Sequence, residues 1–271
     1  PLNVLENYYG KNIPADAPKV FRFTVKPTIG DYGIRVQDIL LLDIIKNNIA
    51  ERPIYISTTT GGDSNLGLDE YLQLHGLAYK LVPENVYRTG NIVNEPVMRK
   101  MLFNEETLQT IFYKKDYYLG FKFRGLDDNS NLFFDDNHFR MMHGYRGAYL
   151  NLAGYYYNKS MNDKAIETLD FMNKIISVNR VEMEDNLFYK MVMLYYSLDA
   201  KDQFNKYGSI FVNTVVNKLL TRKISTEELD YFKVYDILAD IYLKLGKKQE
   251  ALNNFQKLMK EYPDSYGLHN A

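Results

Sequence analysis

The chain has 271 residues, enough for one large domain or two ordinary ones with a real core. Its net charge is −1, and Lys and Arg are spread along it rather than gathered in a stripe, so no electrostatic basis for nucleic-acid binding exists. The absence of cysteine excludes disulfides, zinc–thiolate sites, iron–sulfur clusters and cysteine nucleophiles. Trp is also absent, so 24 Tyr and 15 Phe must supply the aromatic bulk, and each buried Tyr hydroxyl needs a partner.

In chain order, Lys19–Lys26 alternates apolar and polar residues, with Val20, Phe21, Phe23 and Val25 predicting a strand. Pro27–Gly33 is turn chemistry. Ile34–Asn48 follows as a helix with apolar residues on nearly all sides, which predicts a buried helix. Its best apolar run, Ile39–Ile45, is broken by Asp43 and falls far short of the roughly 20 apolar residues a membrane span needs. Arg52–Thr58 is a short strand rich in Ile and Tyr. Leu68–Leu74 is expected as a helical turn and Leu77–Val82 as a further strand. Strand, helix, strand in this order suggests a small α/β unit with parallel pairing. Asn94–Tyr117 reads as mostly helical. No signal peptide opens the chain, which begins with Pro1, and we expect a fragment of a longer protein, cut to be soluble.

Asp127–Asn137, a polar loop around an aromatic pair, is the expected boundary, and helices are expected from there to the end. Phe232–Pro263 carries Tyr235, Leu238, Ala239 and Tyr242, then Gly246, then Ala251, Phe255, Leu258 and Pro263. That order resembles the tetratricopeptide repeat, in which small residues let two helices approach and large ones fill the neighbouring space. A second copy fits Arg146–Ser177, with Tyr149, Leu152, Ala153, Tyr156, Ala165, Leu169 and Met172 at the matching positions; Ser160 replaces the turn glycine and no proline closes it. Asn186–Arg222 lacks the signature and is read as a diverged repeat that keeps the stack continuous.

The stretch Thr58, Thr59, Thr60, Gly61, Gly62, Asp63, Ser64 ends a predicted strand in a polar glycine turn, a place where α/β folds set ligands. Backbone N–H groups beside the glycines could cradle a phosphate or sugar hydroxyls. The stretch lacks the Lys of a P-loop and the spacing of a dinucleotide fingerprint, and Asp63 also suits a helix cap. We read it mainly as a conformational corner and, if it binds, as a contact for an acceptor chain or sugar-phosphate. Asp127-x-Asn129-x-Asn131 opens like a calcium loop, but Leu132 and His138 stand where Gly and Glu are required. The four histidines, His75, His138, His143 and His269, form no metal motif, and no nucleophile elbow is present. Glu105-Glu106 and Glu227-Glu228 suit helix first turns. In the run Tyr155-Tyr156-Tyr157, Tyr156 is a core position, and Tyr155 or Tyr157 is left to face a groove. No catalytic residue, metal site or cofactor is assigned.

Arg52–Pro83, RPIYISTTTGGDSNLGLDEYLQLHGLAYKLVP, with the preceding helix Asp38–Glu51 and the trailing repeats, resembles a large family of bacterial multi-pass membrane proteins common in Bacteroidetes and related to the protein O-mannosyltransferases. Ile56 and His75 depart from its Phe-like and Glu-like residues. The similarity extends over most of the chain and is sharpest at Asp38–Pro83. It implies a soluble C-terminal part on the outer, periplasmic side of the cytoplasmic membrane, without the transmembrane half that carries the family's catalytic machinery. It also implies a role in recognising or positioning a protein acceptor or in bracing the membrane half.

The expected fold is α+β: a small α/β domain over residues 1–136, then tetratricopeptide-like helical repeats over 137–271. Three functions stay open. One is the non-catalytic module of a membrane glycosyltransferase-like protein, with a protein or peptide acceptor and the parent's transmembrane half as partners. Another is a free-standing scaffold binding peptides or proteins. The third is a small α/β enzyme using the Thr-Gly-Gly turn.

Overall fold

The computed structural model describes residues 22–49, 51–103, 107–109, 116–118, 120–121, 123, 125–126, 132–222, 225–231, 233–265 and 267–268. The chain forms two compact units, Pro1–Val181 and Glu182–Ala271.

The first unit begins with the turn Thr28–Gly33, closed by the pairing of Ile29 with Gly33 and by Gly30 at φ +53°. Part of the strand expected over 19–26 lies outside the described residues, and the rest, 22–26, runs as irregular chain. Helix α1 (Val36–Asn48) contains neither Gly nor Pro, and its start is fixed by the buried Asp38. The Asp38 carboxylate accepts the Arg35 backbone N–H at 2.8 Å, the Arg35 Nε–H at 3.2 Å and the Thr28 hydroxyl. The helix is not buried on all sides as expected. Only Asp38 and Ile45 are fully buried, while Val36 is 75% and Leu40 59% exposed. One side packs on the sheet, where Ile45 meets Ile56, Leu68, Leu72 and Leu81. A helix that is apolar all round does not declare which side that is.

Strands β1 (Tyr55–Ser57), β2 (Leu72–His75) and β3 (Ala78–Leu81) lie in the order β1-β3-β2, and both pairings are antiparallel. The expected parallel pairing is therefore corrected. The helical turn expected at 68–74 is one 3-10 turn (Asp69–Tyr71) running straight into β2. Only Gly76 and Leu77 join β2 to β3, with Gly76 at φ +69°, and a two-residue link can make only an antiparallel hairpin. A short helix α2 (Val86–Thr89), capped by Asn85 and ended by Gly90 at φ +70°, returns the chain to the sheet. There Leu74 N–H donates to Ile92 C=O at 2.8 Å and Asn94 N–H to Leu74 C=O at 3.0 Å, so Val93 pairs in parallel beside β2.

Asn94–Tyr117 is not mostly helical. Helix α3 (Glu95–Phe103) is followed by the hairpin strands β4 (Thr107–Gln109) and β5 (Asp116–Tyr118). Helices α4 (Asp136–Asn158) and α5 (Asn162–Ile175) then form the first tetratricopeptide-like pair. Tyr149, Leu152, Ala153, Tyr156, Ala165, Leu169 and Met172 are all completely buried. Helix α3 packs on this pair: Phe103 stacks on Phe171 at 4.5 Å, and Arg99 holds Glu167 through two bonds of 3.0 Å. The Tyr149 hydroxyl donates to Leu102 C=O. Arg146 is fully buried and donates to the carbonyls of Ile176, Ser177 and Val181, placing a cation at the C-terminus of α5. Burial lowers its pKa to about 10.

The second unit holds α6 (Asp185–Ser197), α7 (Lys201–Arg222), the short α8 (Thr226–Tyr231), α9 (Val234–Lys244) and α10 (Lys248–Glu261). Its core runs from Phe188, Met191 and Tyr195 to Tyr207 and Phe211, with the Tyr195 and Tyr207 rings stacked 5.6 Å apart. The segment 186–222 is a helix pair despite its missing signature.

The three helix pairs turn in the same way. Ser160, Asp199 and Gly246 sit at φ +57°, +54° and +70°. In each, the next N–H reaches back to a tyrosine carbonyl: Met161 to Tyr156, Ala200 to Tyr195, Lys247 to Tyr242. This is a left-handed helix C-terminus of the Schellman type, and the tyrosine ring above it is buried each time. Among the described residues, no helix is long and apolar enough to cross a membrane.

Candidate functional site: a groove between the sheet edge and helix α4

The Thr-Gly-Gly turn leaves β1 and is tied to the fold at both ends. Thr58 donates through its N–H and its hydroxyl to Leu77 C=O, at 3.2 and 3.1 Å. Thr60 N–H reaches Ser57 C=O at 3.1 Å, and the Ser57 and Thr59 hydroxyls pair at 2.8 Å. Gly62–Ser64 forms a 3-10 turn, and Arg35 Nη2 donates to the Ser64 hydroxyl at 3.1 Å. Gly61 (φ −60°) and Gly62 are exposed, neither has a positive φ, and a Cβ on either would meet nothing within 4 Å. The glycines leave the turn's backbone open to solvent without being needed for its conformation. The Asp63 side chain lies outside the described residues, as do the calcium-like loop 127–131, Glu105-Glu106, His269 and the Glu227 and Glu228 side chains.

The tyrosine run separates as its helical spacing requires. Tyr156 is fully buried, and its hydroxyl donates to Glu95 Oε1 at 2.6 Å. Burial, and then this bond, pushes the phenol far above its usual range. Tyr157 is 40% exposed. Tyr155 lines a groove of about 410 Å³ between the sheet edge and the last turns of α4, within the first unit. Leu74, Tyr79, Ile92 and Val93 form one wall; Leu150, Asn151, Gly154, Asn158 and Lys159 form the other. Tyr155 and Val93 also line an adjoining, more polar hollow of about 350 Å³, together with Gln73, Asn91, Asn94, Glu95, Met161 and Lys164.

The polar end centres on the buried amide of Gln73, with Asn91 and Asn94 half-buried beside it. Gln73 donates to Asn91 C=O at 2.9 Å and accepts from Asn94 Nδ2 at 3.1 Å. His75 Nε2 lies 2.9 Å from Gln73 Oε1. Burial, with Lys80 nearby, lowers the His75 pKa to about 4, so its imidazole is neutral at pH 7. His138 instead caps α4 with Asp135, far from this groove in sequence and role. Among the described residues, no group of three or more His, Asp or Glu could hold a metal ion.

Apolar walls, amides and the Tyr155 ring can take up an extended polar chain, and Lys159 adds a positive charge to the lining. The sequence pointed to Tyr155. It did not point to Val93, Gly154, Asn158 or Lys159, whose roles depend on α4 lying opposite the 91–94 segment. Asn94 alone was placed at the start of an expected helix, and Asn91–Val93 carried no assignment.

Comparison with known families bears on one wall of this groove. Residues 3–98 match the TMEM260-associated domain 2. Residues 234–265 match a tetratricopeptide repeat. No curated protein and no solved structure matches the chain. The TMEM260-associated region supplies the sheet, the 91–94 segment and the start of α3, while α4 comes from outside both matched segments. A TMEM260-associated domain joined to tetratricopeptide-like repeats is the organisation of a protein-interaction module.

Proposed function

We propose that this chain is a non-catalytic, extracytoplasmic module of a membrane glycosyltransferase-like protein related to the protein O-mannosyltransferases, and that it recognises or positions a protein acceptor. The observation that carries the reading is the match of residues 3–98 to a TMEM260-associated domain, followed by tetratricopeptide-like repeats. The groove beside α4 supports it by offering amides and an aromatic face to a polypeptide. In this reading the module sits on the periplasmic side of a bacterial cytoplasmic membrane, of the Bacteroidetes type, and its other partner is the transmembrane half of its own parent chain. A donor sugar and its catalytic residues belong to that half.

A second reading, a free-standing scaffold for peptides or partner proteins, draws on the specific repeat match at 234–265. Fractionation of native cells, with an immunoblot against this chain, separates the two. A membrane-bound band far heavier than 31.7 kDa is expected. A band near that mass in the non-membrane fraction refutes the glycosyltransferase reading and leaves the scaffold.

A further inference from the structure

Val93 carries a backbone donor and acceptor that have no partner among the described residues. Its neighbours bond to β2 on one side, through Ile92 C=O and Asn94 N–H. In an extended strand the N–H and C=O of alternate residues point to opposite edges. Those of Val93 therefore point away from β2, and no other described residue bonds to them. Val93 is nevertheless only 6% exposed, and it lines both hollows of the groove. A buried, unpaired strand edge is costly unless something completes it.

The opposite wall is a helix face bearing Asn151, Asn158 and Tyr155, and a groove between a strand edge and a helix is the setting in which extended peptides add a strand to a sheet. Lys159 supplies the charge preference. It lines the groove with its ammonium 5.8 Å from the centre of the Tyr155 ring, and no carboxylate among the described residues pairs with it.

We propose that this groove binds an extended peptide segment that pairs through its backbone with the N–H and C=O of Val93 and sets an acidic side chain against Lys159. The proposal deepens the acceptor-recognition reading and rests on it only in taking the occupant to be a segment of another protein.

The test is selection of a displayed library of random decapeptides on the full 271-residue chain, then titration of the enriched synthetic peptides by fluorescence anisotropy. A Cβ on Gly154 would meet nothing within 4 Å, so Gly154→Ala is accommodated and Gly154→Leu carries the added bulk into the groove that Gly154 lines; thermal unfolding of both variants checks the fold. Enriched peptides are expected to share an acidic residue. They should lose about tenfold or more in affinity on Gly154→Leu and several-fold on Lys159→Glu. Methylating the nitrogen of one central peptide amide should also cost about tenfold, the loss of one backbone hydrogen bond and its partner's desolvation. Lys159→Glu and the methylated peptides keep the test intact should Gly154→Leu fail to fold. The proposal is overturned by the absence of enriched peptides, by equal binding to Gly154→Leu or Lys159→Glu, or by indifference to backbone methylation. A chain that fractionates as a free-standing protein removes the glycosyltransferase reading and leaves this measurement untouched. Failed peptide binding in a membrane-bound parent removes the groove proposal alone.

Discussion

The first helix pair, α4/α5, and the last, α9/α10, carry the same helix–turn–helix with opposite strengths. The last has the fuller signature, with Gly246 at the turn and Pro263 at the close, and it is the one a repeat family matches. The first has Ser160 at the turn and no closing proline, yet all seven of its signature side chains are fully buried. In the last pair Leu238, Tyr242 and Leu258 are buried, while Ala239, Ala251 and Phe255 are half-buried and Pro263 is exposed. The signature encodes how two helices meet. Burial is decided by what else covers them, and for α4/α5 that cover includes α3, through Phe103, Arg99 and Leu102.

The largest effect that sharpens this contrast is at an aromatic side chain of each pair, Tyr156 in the first and Phe255 in the last. Tyr156→Ala empties a fully buried site and removes the shorter of two hydrogen bonds to Glu95 Oε1, leaving Lys164, so it should cost about 4 kcal/mol in urea unfolding. Phe255→Ala in the half-buried last pair should cost about half as much. Equal costs would break the comparison.

Arg146→Ala removes the buried donor of three carbonyls at the end of α5 and should cost about 3 kcal/mol by the same measurement. The last pair has no equivalent cation among its described signature residues, so this cost belongs to the first.

The pH dependence should also be carried by the first unit. The His75 pKa falls from its ordinary 6.5 to about 4 on folding, so the unfolded chain binds the extra proton between those values. Stability is full above pH 6.5 and declines by about 2 kcal/mol as pH falls towards 4. In His75→Asn the unfolding midpoint should vary less between pH 7 and 5.

The smallest effect is at the turns. Ser160 holds a left-handed conformation that favours glycine, so Ser160→Gly should stabilise by up to about 1 kcal/mol. Gly246→Ser should destabilise by a similar amount. A differential scan of the two variants resolves the opposite signs.

Much of the helical part was legible because its signals are local. Spacing of Tyr, Leu and Ala over one helix and of a turn residue after it needs no distant partner. Even Ser160, unlike glycine, was placed at the right step. The middle pair was harder, because Asp199 at the turn and Tyr195 above it keep the geometry without the remaining signature. The sheet was misread where two residues decided it: Gly76 and Leu77 form a hairpin link, and taking 68–74 as helix hid β2 and forced a parallel reading. The hairpin β4/β5 was hidden in the same way by extending α3. Within the groove, Tyr155 could be suspected from helical phase alone. The partners that make it a site could not, since 74–93 and 150–159 lie far apart in the chain.

The sequence by itself determined the class of the molecule: a mixed N-terminal region, a helical-repeat C-terminal region and no cysteine chemistry. It did so because composition, turn residues and side-chain period act over a few residues at a time. Tertiary structure alone decided which side of α1 is covered, that the sheet is antiparallel, and that Val93 faces α4 across an open groove. Each of those depends on which distant surface comes to rest against a given face, and no local pattern carries that information.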